Sequence, residues 1–100
     1  MENVLNGIQI PYIEKELIKD LVFINEEVLV SEDERVLRKS QLQKAMFLGN
    51  TSKGKSKITF VTNEGFKKVE TTVWSADDVE VLLKSGTFIP VHAIYKVDLL

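Results

Sequence analysis

The sequence contains no cysteine, a single histidine and only two prolines among its 100 residues. Without cysteine the chain forms no disulfide, has no thiol nucleophile and offers no cysteine-ligated metal site. One histidine is too few for a histidine-based metal centre within one chain. The reactive side chains that remain are carboxylates, hydroxyls and lysines. We identify no catalytic residue among them, and we predict no enzymatic activity, no metal and no cofactor.

The chain is also short and has no long apolar run. A chain of 100 residues buries roughly 60 to 65% of its unfolded surface, which supports one modest core and a single domain over residues 1–100. The first residues carry neither a basic leader nor an uninterrupted apolar stretch. We therefore expect no signal peptide and no membrane association, and we predict a cytoplasmic location.

Charge is nearly balanced overall but is sorted along the chain. The net charge is −2, yet residues 1–34 carry two Lys against nine Asp and Glu, and residues 35–68 carry nine Lys and Arg against one Glu. Residues 69–100 are again acidic, with two Lys against five Asp and Glu. This asymmetry indicates either a basic binding face or neutralisation of the acidic first segment by the basic second one.

The basic segment defines a candidate site for nucleic acid or another polyanion. Arginine and lysine neutralise phosphates, so a face rich in them is the usual electrostatic footprint of such binding. The overall acidity and the lack of aromatic residues interleaved with the lysines count against it. The candidate residues are Arg35, Arg38, Lys39, Lys44, Lys53, Lys55, Lys57, Lys67 and Lys68.

The first half of the sequence predicts two helices within residues 1–50. Pro11 suits the first position of a helix, and apolar residues then recur with helical spacing, which predicts a helix over residues 11–24. Residues 26–30 have no clear pattern. Ser31 and Glu34 form the capping-box pattern at the start of a second helix, which Gly49 would end as a left-handed cap after Leu48.

From Lys57 onward the hydrophobic period changes from about 3.6 to 2, which indicates strands. The alternation predicts about five short antiparallel strands over residues 57–100, with turns at residues 63–65, 75–78 and 85–86. Residues 91–93 have the pattern of a single helical turn before the last strand, residues 94–99. The predicted fold is therefore α+β, with two N-terminal helices followed by a small, curved antiparallel sheet or partly open barrel.

Two stretches of the second half carry a resemblance. The meander at residues 81–97, with one helical turn before its last strand, resembles the small, strongly curved barrels of the Sm-like type in pattern, although it lacks their characteristic Asp and Asn loop residues. Glu-Thr-Thr-Val-Trp at 70–74 and Ile-Pro-Val-His-Ala-Ile at 89–94 resemble stretches shared by a group of small uncharacterised bacterial proteins. The Sm-like resemblance implies an open-ring assembly that binds RNA.

Residues 49–56 match the phosphate-loop pattern G-x-x-x-x-G-K-[ST], with Lys55 and Ser56 in the functional positions. In a true site the lysine reaches the terminal phosphates and the hydroxyl binds magnesium, between a preceding strand and a following helix. Here a predicted helix precedes the segment and a predicted strand follows it. The order is inverted, so we interpret the segment as a Gly-, Ser- and Lys-rich linker and keep nucleotide binding as a remote alternative.

Three other candidates have a structural and a functional interpretation. His92 has no second histidine to share a metal, which favours a structural or surface role. Asp77 and Asp78 are typical of a solvated turn rather than of paired catalytic carboxylates. Trp74 is predicted to anchor the core or an interface rather than to stack on a base.

Taken together, these patterns favour a small interaction or assembly module without enzymatic activity. Leu37, Leu42, Met46 and Phe47 do not lie on one helical stripe, and one small core does not cover them all from one side. We therefore predict a homodimer or larger assembly, with the second helix or an open sheet edge at the interface.

Overall fold

A computed structural model describes the backbone of residues 4–5 and 8–100 and the side chains of residues 9–100. The fold is α+β, as the sequence predicts, with one main α-helix. The first half contains strands β1 (Val4–Leu5) and β2 (Ile8–Gln9), a 3₁₀-helix (Lys15–Asp20) and helix α1 (Glu32–Ser52). The second half contains β3 (Ser56–Thr62), β4 (Gly65–Thr71), β5 (Val73–Ala76), β6 (Glu80–Leu83), β7 (Phe88–Pro90), a one-turn 3₁₀-helix (Val91–Ala93) and β8 (Ile94–Leu99).

Helix α1 begins as the sequence predicts and ends later. The Ser31 Oγ accepts a hydrogen bond from the Glu34 amide at 3.1 Å, and the Glu34 carboxylate accepts one from the Ser31 amide, so the capping box is confirmed. The left-handed cap is Lys53, with φ 57°, and not Gly49 as predicted. The Gly54 amide then bonds to the Leu48 carbonyl and closes the helix end.

Gly49 lies buried inside α1, where the helix crosses β5. A Cβ atom at this position would lie 2.1 Å from the Val73 carbonyl oxygen, which is far inside van der Waals contact. Glycine is therefore needed here for close packing of the helix on the strand rather than to end the helix.

The predicted helix over residues 11–24 is wrong, because only Lys15–Asp20 is helical and it is a 3₁₀-helix. The two ends of this segment pair with strands β4 and β3. The Pro11 carbonyl accepts from the Lys68 amide at 3.0 Å, and the Ile24 amide donates to the Val61 carbonyl at 3.2 Å. Backbone groups that bond to a sheet cannot also bond four residues along a helix, so tertiary pairing overrides the apolar spacing. We call residues 11–24 the strap.

The six antiparallel strands of the second half form two small sheets rather than one, and β1 pairs separately with β2. The strand order is β4-β3-β8 in the first and β5-β6-β7 in the second. The strand predicted between the turns at residues 63–65 and 75–78 is divided at Thr72, so that β4 and β5 belong to different sheets. Ser75 and Ala76 extend β5 where a turn was predicted. The described residues contain no closed barrel. The turn at Gly86, the one-turn helix and β8 follow the prediction.

The core lies between α1, the two sheets and the strap. Ile18 of the strap, Leu42 and Ala45 of α1, and Phe60 of β3 are all buried in it. Trp74, predicted as a core or interface anchor, is half exposed on β5 and is not part of this core. No helix in the described part of the chain has the length and apolar character needed to cross a membrane.

The close contact at Gly49 gives a first prediction. Gly49→Ala should lower the free energy of unfolding by about 2 kcal/mol or more, because the overlap with the Val73 carbonyl outweighs the better helix propensity of alanine. The matched control is Gly54→Ala, whose Cβ would lie at an ordinary 3.5 Å from its nearest neighbour. Urea denaturation of both variants tests this, and equal stability of the two would contradict it.

Candidate interaction surfaces

The nine basic residues predicted to bind a polyanion do not share one face. Arg38 is buried, with its side chain 6% exposed, and its guanidinium holds the carboxylate of Glu27. Arg35 donates to the carbonyl oxygens of Leu29 and Val30, both at 2.9 Å. Both arginines therefore stabilise the chain before α1, and the Arg38 guanidinium is engaged by Glu27 and by the Ile94 carbonyl.

Four of the lysines are engaged with other groups. Lys39 pairs with Asp78 at 3.2 Å and Lys67 with Glu64 at 3.7 Å. Lys68 is fully buried, and its Nζ lies 4.3 Å from the centre of the Tyr12 ring. The Nζ of Lys57 lies 6.0 Å from the same ring. The remaining three lysines are exposed and form no ion pair within the described residues: Lys44, Lys53 and Lys55.

The Arg38 to Glu27 contact is the best-formed ion pair in the described part of the chain. Two hydrogen bonds, of 2.7 and 2.6 Å, join the guanidinium to both carboxylate oxygens, and the same guanidinium donates to the Ile94 carbonyl at 2.9 Å. Hydrogen bonding to Arg38 lowers the pKa of Glu27, and the Leu29 amide adds to this. Glu27 belongs to the acidic first segment and Arg38 to the basic second one, so this pair is a case of internal neutralisation.

The segment that matches a phosphate loop lacks the geometry of one. Residues 49–52 are the last turn of α1, and Ser56 begins β3, so a helix precedes the loop and a strand follows it. Ser56 is fully buried opposite Thr71 of β4. Its hydroxyl is therefore not placed to hold a magnesium ion beside a bound phosphate, and the loop leads into a strand rather than into a helix N-terminus that would supply amide donors.

His92 and the Asp77-Asp78 turn have structural contacts. The His92 Nε2 lies 2.7 Å from the Ile24 carbonyl oxygen, so the ring holds the end of the strap. The Asp77 Oδ1 accepts from the amides of Val79 and Glu80, both at 2.8 Å, and these bonds lower the pKa of Asp77. Within the described residues no group of three or more His, Asp or Glu is placed to bind a metal ion.

Helix α1 presents an apolar face to solvent. Leu42 and Ala45 pack inward, whereas Val36 is 61%, Leu37 63% and Phe47 66% exposed. On a helical wheel with 100° per residue, Val36 and Phe47 lie on the side opposite the buried residues, and Leu37 lies at the margin of that side. We call this the outward face of α1; between its apolar ends it carries Ser40, Gln43 and Lys44.

Shallow grooves flank the outward face on the side of β8. One, of about 310 Å³, runs beside Leu37, Tyr95 and Val97. The other, of about 460 Å³, is more open and lies beside Phe47 and Leu99. The helix and the last strand thus form partly apolar surfaces beside Leu37 and beside Phe47.

Two of the sheet edges are covered from within the chain. Arg38 and Gln41 of α1 donate to the Ile94 and Val97 carbonyls of β8, at 2.9 and 3.4 Å. The strap pairs with β4 on its outer side, through Lys68. Covering an edge in this way removes the groups that another chain would pair with.

Comparison of the chain with protein-family models, with curated protein sequences and with solved structures gives no match.

The Glu27 carboxylate gives a second prediction. Glu27→Gln should lower the free energy of unfolding by about 2 kcal/mol at neutral pH, because a buried guanidinium loses its counter-charge. Since the folded-state pKa of Glu27 is lowered, its stabilisation is present above the ordinary carboxyl pKa and is lost as the pH falls through the lowered value. The stability difference between wild type and variant should therefore shrink in acid.

Urea titrations at several pH values measure this difference. Glu26→Gln is the matched control, because Glu26 is exposed and makes no ion pair within the described residues. A loss of stability in Glu27→Gln no greater than in Glu26→Gln would show that the pair contributes nothing.

The loop geometry gives a third prediction. Lys55→Ala should change the free energy of unfolding by less than about 0.5 kcal/mol, because Lys55 is an exposed side chain. Calorimetric titration with magnesium and ATP or GTP should give no binding heat with either wild type or variant. Binding to wild type that this substitution abolishes would establish a phosphate-binding role that the geometry does not support.

Proposed function

We propose that the protein is a small, non-enzymatic interaction module that associates with a second copy of itself through the outward face of α1. The observation that carries this proposal is the exposure of Val36, Leu37 and Phe47 on the side of α1 that faces away from the core. Large apolar side chains grouped on one helical face are typical of contact surfaces, whereas scattered ones are not. A two-fold pairing is the commonest way to cover such a face.

The strand arrangement supports the Sm-like resemblance as part of this proposal. Strands β4 and β5 run on from each other with a break at Thr72, and one helical turn precedes the last strand. A ring assembled through strand edges is less well supported, because α1 bonds to the outer edge of β8. Association through α1 uses a surface that no other described part of the chain covers.

Binding of a polyanion is a second candidate function, and fewer basic residues support it than the sequence predicts. It rests on Lys44, Lys53 and Lys55, which lie in or just after the second half of α1 and remain exposed and unpaired. Three lysines give a weak and strongly salt-dependent attraction. Filter binding of mixed DNA and RNA at several salt concentrations tests it, and an affinity unaffected by reversing Lys53 and Lys55 would exclude these residues from it.

The fourth prediction concerns Phe47. Phe47→Ser should weaken self-association roughly 100-fold or more, because a two-fold interface loses the same buried aromatic side chain twice. Size-exclusion chromatography with light scattering, over a wide range of protein concentration, measures the effect. Val79→Ser is the matched control, since Val79 is 71% exposed but lies on the turn before β6.

Two results would contradict the proposal. One is a monomer mass for the wild-type protein at every concentration. The other is an equal loss of association in Phe47→Ser and Val79→Ser, which would place the interface elsewhere. The circular dichroism of both variants should match that of wild type, because neither side chain belongs to the core.

A further inference from the structure

We infer that the second copy packs on α1 in the antiparallel direction, about a two-fold axis that passes between Ser40 and Lys44. This inference rests on the proposed self-association and specifies its geometry. In this arrangement Phe47, near the end of one helix, covers Val36 and Leu37, near the start of the other helix. The acidic first turn of each helix then lies beside the lysines that follow the end of the other.

The spacing of the apolar residues fits this register. Val36 and Phe47 are eleven residues apart, which corresponds to about 16 Å along a helix, and they differ by only about 20° around it. An antiparallel pairing that sets Phe47 of one copy against Val36 and Leu37 of the other forms two equivalent contacts. Ser40 lies near the midpoint, where its small side chain lets the two helices approach.

The charges decide between the two directions. The first turn of α1 carries Glu32, Asp33 and Glu34, and basic residues Lys53 and Lys55 follow its last turn. A parallel pairing would set three carboxylates against the same three carboxylates and lysines against lysines. The antiparallel pairing replaces both repulsions by attraction. It also sets the two helix dipoles antiparallel, with the N-terminus of each helix beside the C-terminus of the other.

The groove beside Leu37 gives the partner's aromatic ring a place to pack. It is lined on the β8 side by Tyr95 and Val97 and has a volume of about 310 Å³. In the antiparallel register the partner's Phe47 reaches the same end of α1 that carries this groove. The aliphatic part of Lys44, near the axis, can cover the partner's Ser40 while its ammonium group stays in water.

Cysteine cross-linking tests the direction, because the chain has no cysteine of its own. Asp33 and Thr51 are exposed positions on the outward face and come opposite each other in the inferred register. A mixture of the Asp33→Cys and Thr51→Cys proteins, treated with a short bismaleimide, should give a cross-linked heterodimer. Each variant alone should not, because two copies of residue 33 would lie roughly 27 Å apart.

The outcomes separate this inference from the proposed function. Cross-linking of each variant with itself, and not with the other, would overturn the antiparallel direction while leaving self-association intact. Failure of every pair to cross-link in a protein that light scattering shows to be dimeric would overturn the use of this face. A protein that stays monomeric would overturn the proposed function itself.

A charge-reversal series tests the electrostatic argument independently. Lys53→Glu with Lys55→Glu should weaken dimerisation roughly tenfold at low salt, with a smaller effect at high salt. Adding Glu32→Lys and Asp33→Lys to that variant should restore the affinity, because the attraction is then re-formed with opposite signs. The control reverses Lys19 and Lys84, which are exposed elsewhere. The inferred contacts would be contradicted if reversing Lys19 and Lys84 weakened dimerisation as much as reversing Lys53 and Lys55. They would also be contradicted if the added Glu32→Lys and Asp33→Lys restored no affinity.

Discussion

The contact between Arg38 and Glu27 connects α1, the chain that leads into it and the start of β8. Through it, α1 holds the chain that leads into the helix, and through the Ile94 carbonyl the same guanidinium holds the start of β8. A buried guanidinium is tolerated only with a counter-charge and hydrogen bonds, so these three elements must be in place together. The position of α1 follows from this requirement, and with it which side of the helix faces solvent.

Local signals in the sequence predict local structure well. Ser31 and Glu34 mark the start of α1 because both partners of the capping box lie within four residues. Contacts between residues far apart in sequence are not predicted in this way. Gly49 is predicted to end the helix, and only its close approach to Val73 shows why glycine is needed inside the helix. The spacing of apolar residues in the strap fits a helix, yet bonds to Val61 and Lys68, far away in sequence, set its conformation.

The candidate surface was predictable only in part, for the same reason. The sequence shows that the apolar residues of α1 do not share one stripe, but not that Leu42 and Met46 face the core while Phe47 faces solvent. The grouping of nine basic residues points to one binding face. The folded chain distributes them among three ion pairs, backbone carbonyls and an aromatic ring, and three exposed lysines remain. Charge sorting along this sequence therefore reflects internal partners as much as any ligand.

The strap is synthesised before the strands with which it pairs. Residues 11–24 are synthesised early, but the groups they pair with, at residues 61–68, are synthesised 37 to 57 residues later. Until β3 and β4 have formed, Ile18 has no core to enter and the strap has no edge to bond to. Helix α1, whose capping signal is local, can form before either. The order of folding should thus run from the helix to the sheets and only then back to the first part of the chain, with closure of that long loop among the slow steps.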